Sequence, residues 1–274
     1  EPDRGELAMD KWIKECTQKL GLKINSPGFK SKFDITITKN PNDIIHKQPL
    51  SPSGFDTAVF MSNTILTPEG ITPRMHRYQL KLPAKITYQA GDVLAILPQN
   101  DPAITKAVIE ELGLNPDDIL TITPMMGEGP NIIPARVTVQ QLFSQYIDLN
   151  CIPSRKLISL FHQFATDEFV KERLEKLSNE SQPHFFEDFV RDTNVGEVIL
   201  EFAHTCPVPL NLLLTYASQI HPRLYCIASS PSGRSRDVDL FVSDHMFGPD
   251  KNRPGLCTSF LQRFGVTKVY VRAQ

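Results

Sequence analysis

The chain has 274 residues, 29 Lys and Arg against 31 Asp and Glu, and a formal charge of −2, so it carries no basic excess to neutralise a nucleic-acid backbone. With 41% hydrophobic and 22% charged residues it reads as a globular chain, and its longest apolar runs, such as VILEFA and LNLLLTYA, are far shorter than the roughly 20 residues that span a bilayer. The 22 prolines, about 8% where about 5% is usual, point to many loops and edge strands.

The N-terminus EPDRGELAMD is acidic and lacks the apolar core of a signal peptide or anchor. MDKWIKECTQKLGL places Met9, Trp12, Ile13, Cys16 and Leu20 at helical spacing, with Gly21 as the stop. From Phe33 to Phe60 the segments FDITIT and TAVFMS alternate with period two between KNPND and PLSPSG, which predicts strands and loops. MHRYQLKL alternates again, setting His76, Tyr78 and Leu80 against Met75, Arg77 and Gln79, and Ala90-Gly91-Asp92 turns between apolar runs. An antiparallel, proline-punctuated sheet or barrel is expected.

DPAITKAVIEELGL predicts a helix capped by Asp101, with Pro102 in its first turn and Gly113 at its end. From about Thr138 to Ser218 the apolar residues recur three and four apart, in TVQQLFSQYIDL, RKLISLFHQFA, DEFVKERLEKL, FFEDFVRDT, VGEVILEF and LNLLLTYAS, so the chain turns helical. Strand-like text resumes at RLYCIASSP and DVDLFVSDHMF, and GLCTSFLQRF reads as a loop entering a helix. A helical block therefore interrupts a β domain.

The sequence has no G-x-S-x-G, G-x-x-x-x-G-K-[ST], G-x-G-x-x-G or H-E-x-x-H, which removes the main support for hydrolase, P-loop and zincin readings. Cys16, Cys151, Cys206, Cys226 and Cys257 are odd in number and scattered, with no metal-ligand spacing, so no metal site is expected and a reducing, cytoplasmic setting is. Two segments remain. In Arg223-Leu224-Tyr225-Cys226, an extended strand puts Arg223 and Tyr225 on one face and turns Cys226 away. A guanidinium beside an aromatic suits an anionic ligand with a flat, stackable part; an ordinary barrel strand with Arg outside and Tyr at the rim has the same pattern. About 30 residues on, Gly255-Leu256-Cys257-Thr258-Ser259 opens a helix whose free N–H groups and hydroxyls suit a phosphate, and a plain N-cap has the same look.

Together RLYCIASSP and GLCTSFL resemble the Arg-x-Tyr-Ser-x-x-Ser and Gly-Val-x-Thr-Ser pair of the ferredoxin-NADP reductase superfamily. The helical interruption narrows the resemblance to the diflavin reductases, such as the NADPH–cytochrome reductases and the sulfite reductase flavoprotein, and it covers nearly the whole chain. The resemblance implies a β + α fold, an antiparallel Greek-key FAD-binding barrel interrupted by an all-helical connecting domain. Residues 1–24 would be a hinge helix remnant of an FMN domain, 25–127 and 221–274 the barrel, and 128–220 the connecting domain.

It further implies that Arg223 pairs with the FAD pyrophosphate, that Tyr225 stacks on the isoalloxazine and that Cys226 sits near flavin N5. Leu224 belongs to the same segment. Phe241, Val242 and Ser243 match flavin-contacting positions of the next strand, and Phe247 an aromatic on the adenine side. Gly255, Leu256, Cys257 and Thr258 match the pyrophosphate loop, and Arg74 an Arg that reaches NADP. Cys226 departs from the usual Ser and is the weaker donor.

Both ends read as cut. The expected whole is an NADPH-dependent diflavin oxidoreductase passing electrons from NADPH to FAD, to FMN and to a haem or iron-sulfur acceptor. The flavodoxin-like FMN domain and the NADPH domain would be its partners in one chain, and this segment alone would have little turnover with NADPH. The alternatives are the reductase cassette of a larger fusion, such as a pyruvate:NADP oxidoreductase, and a non-catalytic β-barrel interaction module.

Overall fold

The computed structural model describes residues 28–39, 54–125, 133–231, 236–248, 253–263 and 268–273. The helix expected over 9–20 and the proposed hinge remnant 1–24 lie outside the described residues.

Period-two alternation becomes real strands. β1 (Phe33–Thr38), β2 (Asp56–Ile65), β3 (Met75–Lys81), β4 (Val93–Leu97), β5 (Ile119–Pro124), β6 (Arg136–Thr138), β7 (Arg223–Cys226), β8 (Asp237–Ser243), β9 (Met246–Phe247), β10 (Arg253–Pro254) and β11 (Lys268–Ala273) form antiparallel sheets. The largest has the order β7-β4-β11-β2-β3-β8. On β3, His76, Tyr78 and Leu80 turn inward, one of the two faces that the alternation separates. The two edge strands approach each other: Ile227, just past β7, makes an isolated bridge to Leu240 of β8, and the Ala228 N–H donates to the Asp239 carbonyl at 2.9 Å. This contact falls short of a closed ring of strands, so in place of the expected closed barrel the described residues form a six-stranded antiparallel sheet whose edge strands touch.

Helix α1 (Pro102–Glu111) starts where the Asp101 carboxylate accepts the Ala103 and Ile104 N–H groups, and ends before Gly113 at φ 64°. The helical run follows: α2 (Val139–Gln145), α3 (Arg155–Phe164), α4 (Glu168–Ser178), α5 (Pro183–Asp192), α6 (Val195–Phe202) and α7 (Leu210–Tyr216). Thr138 with Gln141, and Asn194 with Glu197, make reciprocal capping boxes at the starts of α2 and α6. One last helix, α8 (Leu256–Gln262), precedes β11.

Two cores result. Tyr78, Leu80, Leu94, Ile96, Leu240, Phe260 and Val271 fill the large sheet under α8. Leu142, Phe143, Phe161, Leu174, Val198, Phe202 and Leu213 fill the helical block, and Phe33 of β1 with Leu120 and Ile122 of β5 joins them. Each such side chain, fully withdrawn from water, contributes about 1.5–3 kcal/mol. The end of α2 and the end of the block meet: Ile147 bridges Gln219, the Ile220 N–H donates to the Tyr146 carbonyl, and the Asp148 N–H donates to the Ser218 carbonyl. The chain therefore passes beside the end of α2 directly before it re-enters the large sheet at β7.

Candidate cofactor-binding site

Strand β7 lies on β4, with Arg223 opposite Ile96, Leu224 opposite Ala95, Tyr225 opposite Leu94 and Cys226 opposite Val93. The alternation puts the half-buried Tyr225 ring against the sheet core and leaves Leu224 and Cys226 exposed on the other face; Arg223, on the Tyr225 face at the start of the strand, is exposed as well. The Tyr225 side chain meets the Cys257 thiol, and burial pushes the phenol well above its ordinary range and the thiol up to about 11. Arg223 acts electrostatically on both groups and donates through Nη1 to the His221 carbonyl at 2.8 Å. The first of the two sequence segments is thus joined to the second through Tyr225 and Cys257.

The second segment is built on His245. Its carbonyl accepts the Gly255 N–H at 2.7 Å, and its own N–H donates to the buried Thr258 Oγ1 at 3.2 Å. A Cβ on Gly255 would stand 3.1 Å from the His245 ring, so a side chain there would push the turn away. Among the described residues no side chain caps α8, so no side chain competes for the N–H groups that open the helix, which are carried by the buried Leu256, Cys257 and Thr258.

An FAD-binding domain family model matches residues 78–260. The chain belongs to the FAD-binding domain family of the diflavin reductases. It is 30% identical over 210 residues to NADPH-dependent diflavin oxidoreductase 1 of Mus musculus, covering 72% of this chain and 35% of that protein. It is 26% identical over 206 residues to the mitochondrial pyruvate dehydrogenase [NADP(+)] of Euglena gracilis, covering 73% and 11%. To the NADPH–cytochrome P450 reductase of Dictyostelium discoideum it is 25% identical over 194 residues, covering 69% and 29%. The chain therefore spans about a third or less of the length of these three relatives.

The residues present fit FAD. A diphosphate needs cationic and N–H donors, which the exposed Arg223 and the uncapped start of α8 supply, and a flat ring needs apolar and aromatic surface beside them. Tyr225, on the Arg223 face of β7, supplies aromatic surface, while Leu224 on the opposite face of β7 and Phe241, pointing outward from β8, are 58% and 53% exposed. On β8, Phe241 and Ser243 point outward while Val242 turns into the sheet core, so Val242 can meet a ligand only through its backbone. Phe247 is half-buried in β9, opposite Arg253. Arg74 is exposed ahead of β3, and its carbonyl accepts the Asp244 N–H at 2.9 Å, one residue from His245.

Several neighbours of the site carry no motif in the sequence. His245 holds the loop through its backbone, which any residue type could do. Tyr88 reaches Ser229 Oγ at 3.2 Å across the β7 edge. Asp148, at the return point of the helical block, is buried beside Arg223 and His221; burial raises its pKa, and the Asn150 N–H, Arg223, the Cys151 N–H and His221 oppose the rise.

Proposed function

We propose that this chain is the FAD-binding unit of an NADPH-dependent diflavin reductase. The chemistry supplied at this site is conversion of a two-electron hydride from NADPH into single electrons for an FMN domain and then for a haem or iron-sulfur acceptor. Arg223 pairs with the diphosphate, assisted by the N–H groups of Leu256, Cys257 and Thr258 at the start of α8. Tyr225 stacks against one face of the ring and keeps water from it, and Cys226 stands near N5 where a hydroxyl is usual. Phe241 and Ser243 line the flavin side, Phe247 the adenine side, and Arg74 reaches towards NADP.

In this reading the large sheet is the Greek-key barrel, and the helical block is the connecting domain that sets the approach of the FMN domain. Residues 25–127 and 221–274 carry the barrel and 128–220 the connecting domain. β1 and β5 fall in the first range yet pack on the helices, and so tie the two units together.

The observation that carries the proposal is the meeting of Tyr225 and Cys257, which brings an Arg, an aromatic ring and an uncapped helix start to one place. Titration of the purified chain with FAD should give a yellow complex with quenched flavin fluorescence. Arg223→Ala should weaken it about tenfold, the loss of one hydrogen bond to a charged group, and Thr258→Ala, which removes the hydroxyl that holds the His245 N–H and so loosens the loop, should weaken it in the same direction. Parent-like FAD binding in both variants would refute the assignment of the diphosphate site. The Euglena relative supports a second reading of the whole protein, a reductase cassette fused to a pyruvate-oxidising module; the length and domain content of the full gene product separate the two.

A further inference from the structure

Beneath the phosphate loop lies a polar cluster that the flavin reading does not use. His76 points inward from β3 with its side chain only 4% exposed. Its Nδ1 lies 2.9 Å from Asn63 Oδ1 on β2, and its Nε2 lies 3.1 Å from Asp244 Oδ1 in the turn after β8. The ring stacks on Tyr78 at 5.5 Å and 7° between planes. Asp244 Oδ1 also accepts from the side-chain amide of Gln262, the last residue of α8, which lies 3.2 Å from His76 Nε2 as well.

Asp244 is joined in sequence to His245, and that adjacency gives the cluster its consequence. His245 holds the start of α8 through the Gly255 N–H and Thr258 Oγ1. Asp244 holds the other end of the same helix through Gln262. One dipeptide thus fixes a two-turn helix at both ends, and the dipeptide is itself fixed to the sheet by His76 and by the Arg74 carbonyl. A helix this short has little stability of its own, so its direction is set by what grips it.

We propose that His76, Asp244 and Gln262 form a positioning cluster that aims the Gly255–Thr258 loop, so that affinity for the diphosphate half of FAD depends on a buried histidine and affinity for the ring does not. The inference rests on the flavin reading of the site. None of the three side chains touches the cofactor; they act through His245. Asp244 serves as a double acceptor, for His76 and for Gln262. An asparagine at 244 presents the same carbonyl oxygen, and an alanine presents none.

The test uses the full chain and two probes, FAD and riboflavin, the second lacking the diphosphate. Asp244→Ala, which cuts both links, should weaken FAD about tenfold, the effect of one charge-assisted hydrogen bond to the diphosphate lost when the loop is no longer aimed, and Asp244→Asn should restore it to within about threefold. Riboflavin affinity should be the same in the parent and both variants. If Asp244→Ala does not fold, Gln262→Met, a change at an exposed position that cuts the same link, takes its place in the comparison. The proposal is overturned by unchanged FAD affinity in the alanine or methionine variant, by an asparagine variant as weak as the alanine one, or by equal losses for FAD and riboflavin. A parent chain that binds neither probe would instead overturn the flavin reading, so the two failures are distinguishable.

Discussion

Asp148 shows how a single buried carboxyl can report on the junction beside the site. It is 6% exposed, its Oδ1 accepts the Asn150 N–H at 3.0 Å, and burial raises its pKa in the fold. A carboxyl that holds its proton to a higher pH when folded contributes stability that is fully present below the unfolded value, about 3.9, and lost as pH rises through the folded one. Asp148→Asn keeps the oxygen acceptor and removes the titration. In the absence of FAD, the melting temperature of the variant minus that of the parent should therefore grow as pH rises from about 4 to 7. A difference that stays flat, or that shrinks with rising pH, would show that the residue ionises in the fold as readily as in the unfolded chain.

At the scale of elements, sequence pattern finds what is local. Asp101, Pro102 and Gly113 bound α1 as capping chemistry demands, the run from Thr138 yields helices from α2 onward, and alternation on β3 separates a buried set from a more open one. What stays hidden is pairing at a distance. The three-residue β6 is too short to show a period, and nothing in FDITIT says that β1 packs with the helices rather than the large sheet. At the site, Arg223, Tyr225 and the Gly255–Thr258 loop carry residue types that name their chemistry, whereas His245 works through its backbone and His76 through partners 13 and 168 positions away in sequence. Asn100 belongs to the hidden class. It is 3% exposed at the end of β4; its Nδ2 donates to the Phe143 and Ile147 carbonyls, and its Oδ1 accepts the Leu149 N–H. Asn100→Ala leaves three buried backbone groups without partners at the hinge of the helical block. It should lower the urea midpoint by an amount equivalent to about 3 kcal/mol with the slope unchanged. A loss within about 0.5 kcal/mol, as for an ordinary surface change, would show that water satisfies those groups.

Across the whole molecule the two cores meet at a narrow seam: the Ile147–Gln219 bridge, the Asn100 bonds, and a bidentate pair in which Arg253 Nη1 and Nη2 donate to Glu197 at 2.8 and 3.0 Å. Arg253 stands on β10, immediately before the Gly255–Thr258 loop, and Glu197 on α6, so the seam runs directly beside the candidate site. Among the described residues no helix is long and apolar enough to cross a membrane. FAD that binds only the folded sheet unit, at about 100 times its dissociation constant, adds about 2.7 kcal/mol to that unit. The helical block gains only what the seam transmits. Hydrogen exchange with and without FAD should therefore slow in peptides from β7, β8 and α8, and stay the same in α4 and α5, whose core is separate and lies beyond the seam. Equal protection in both sets would mean that the units open together, and that the helical block reports flavin occupancy to whatever docks on it.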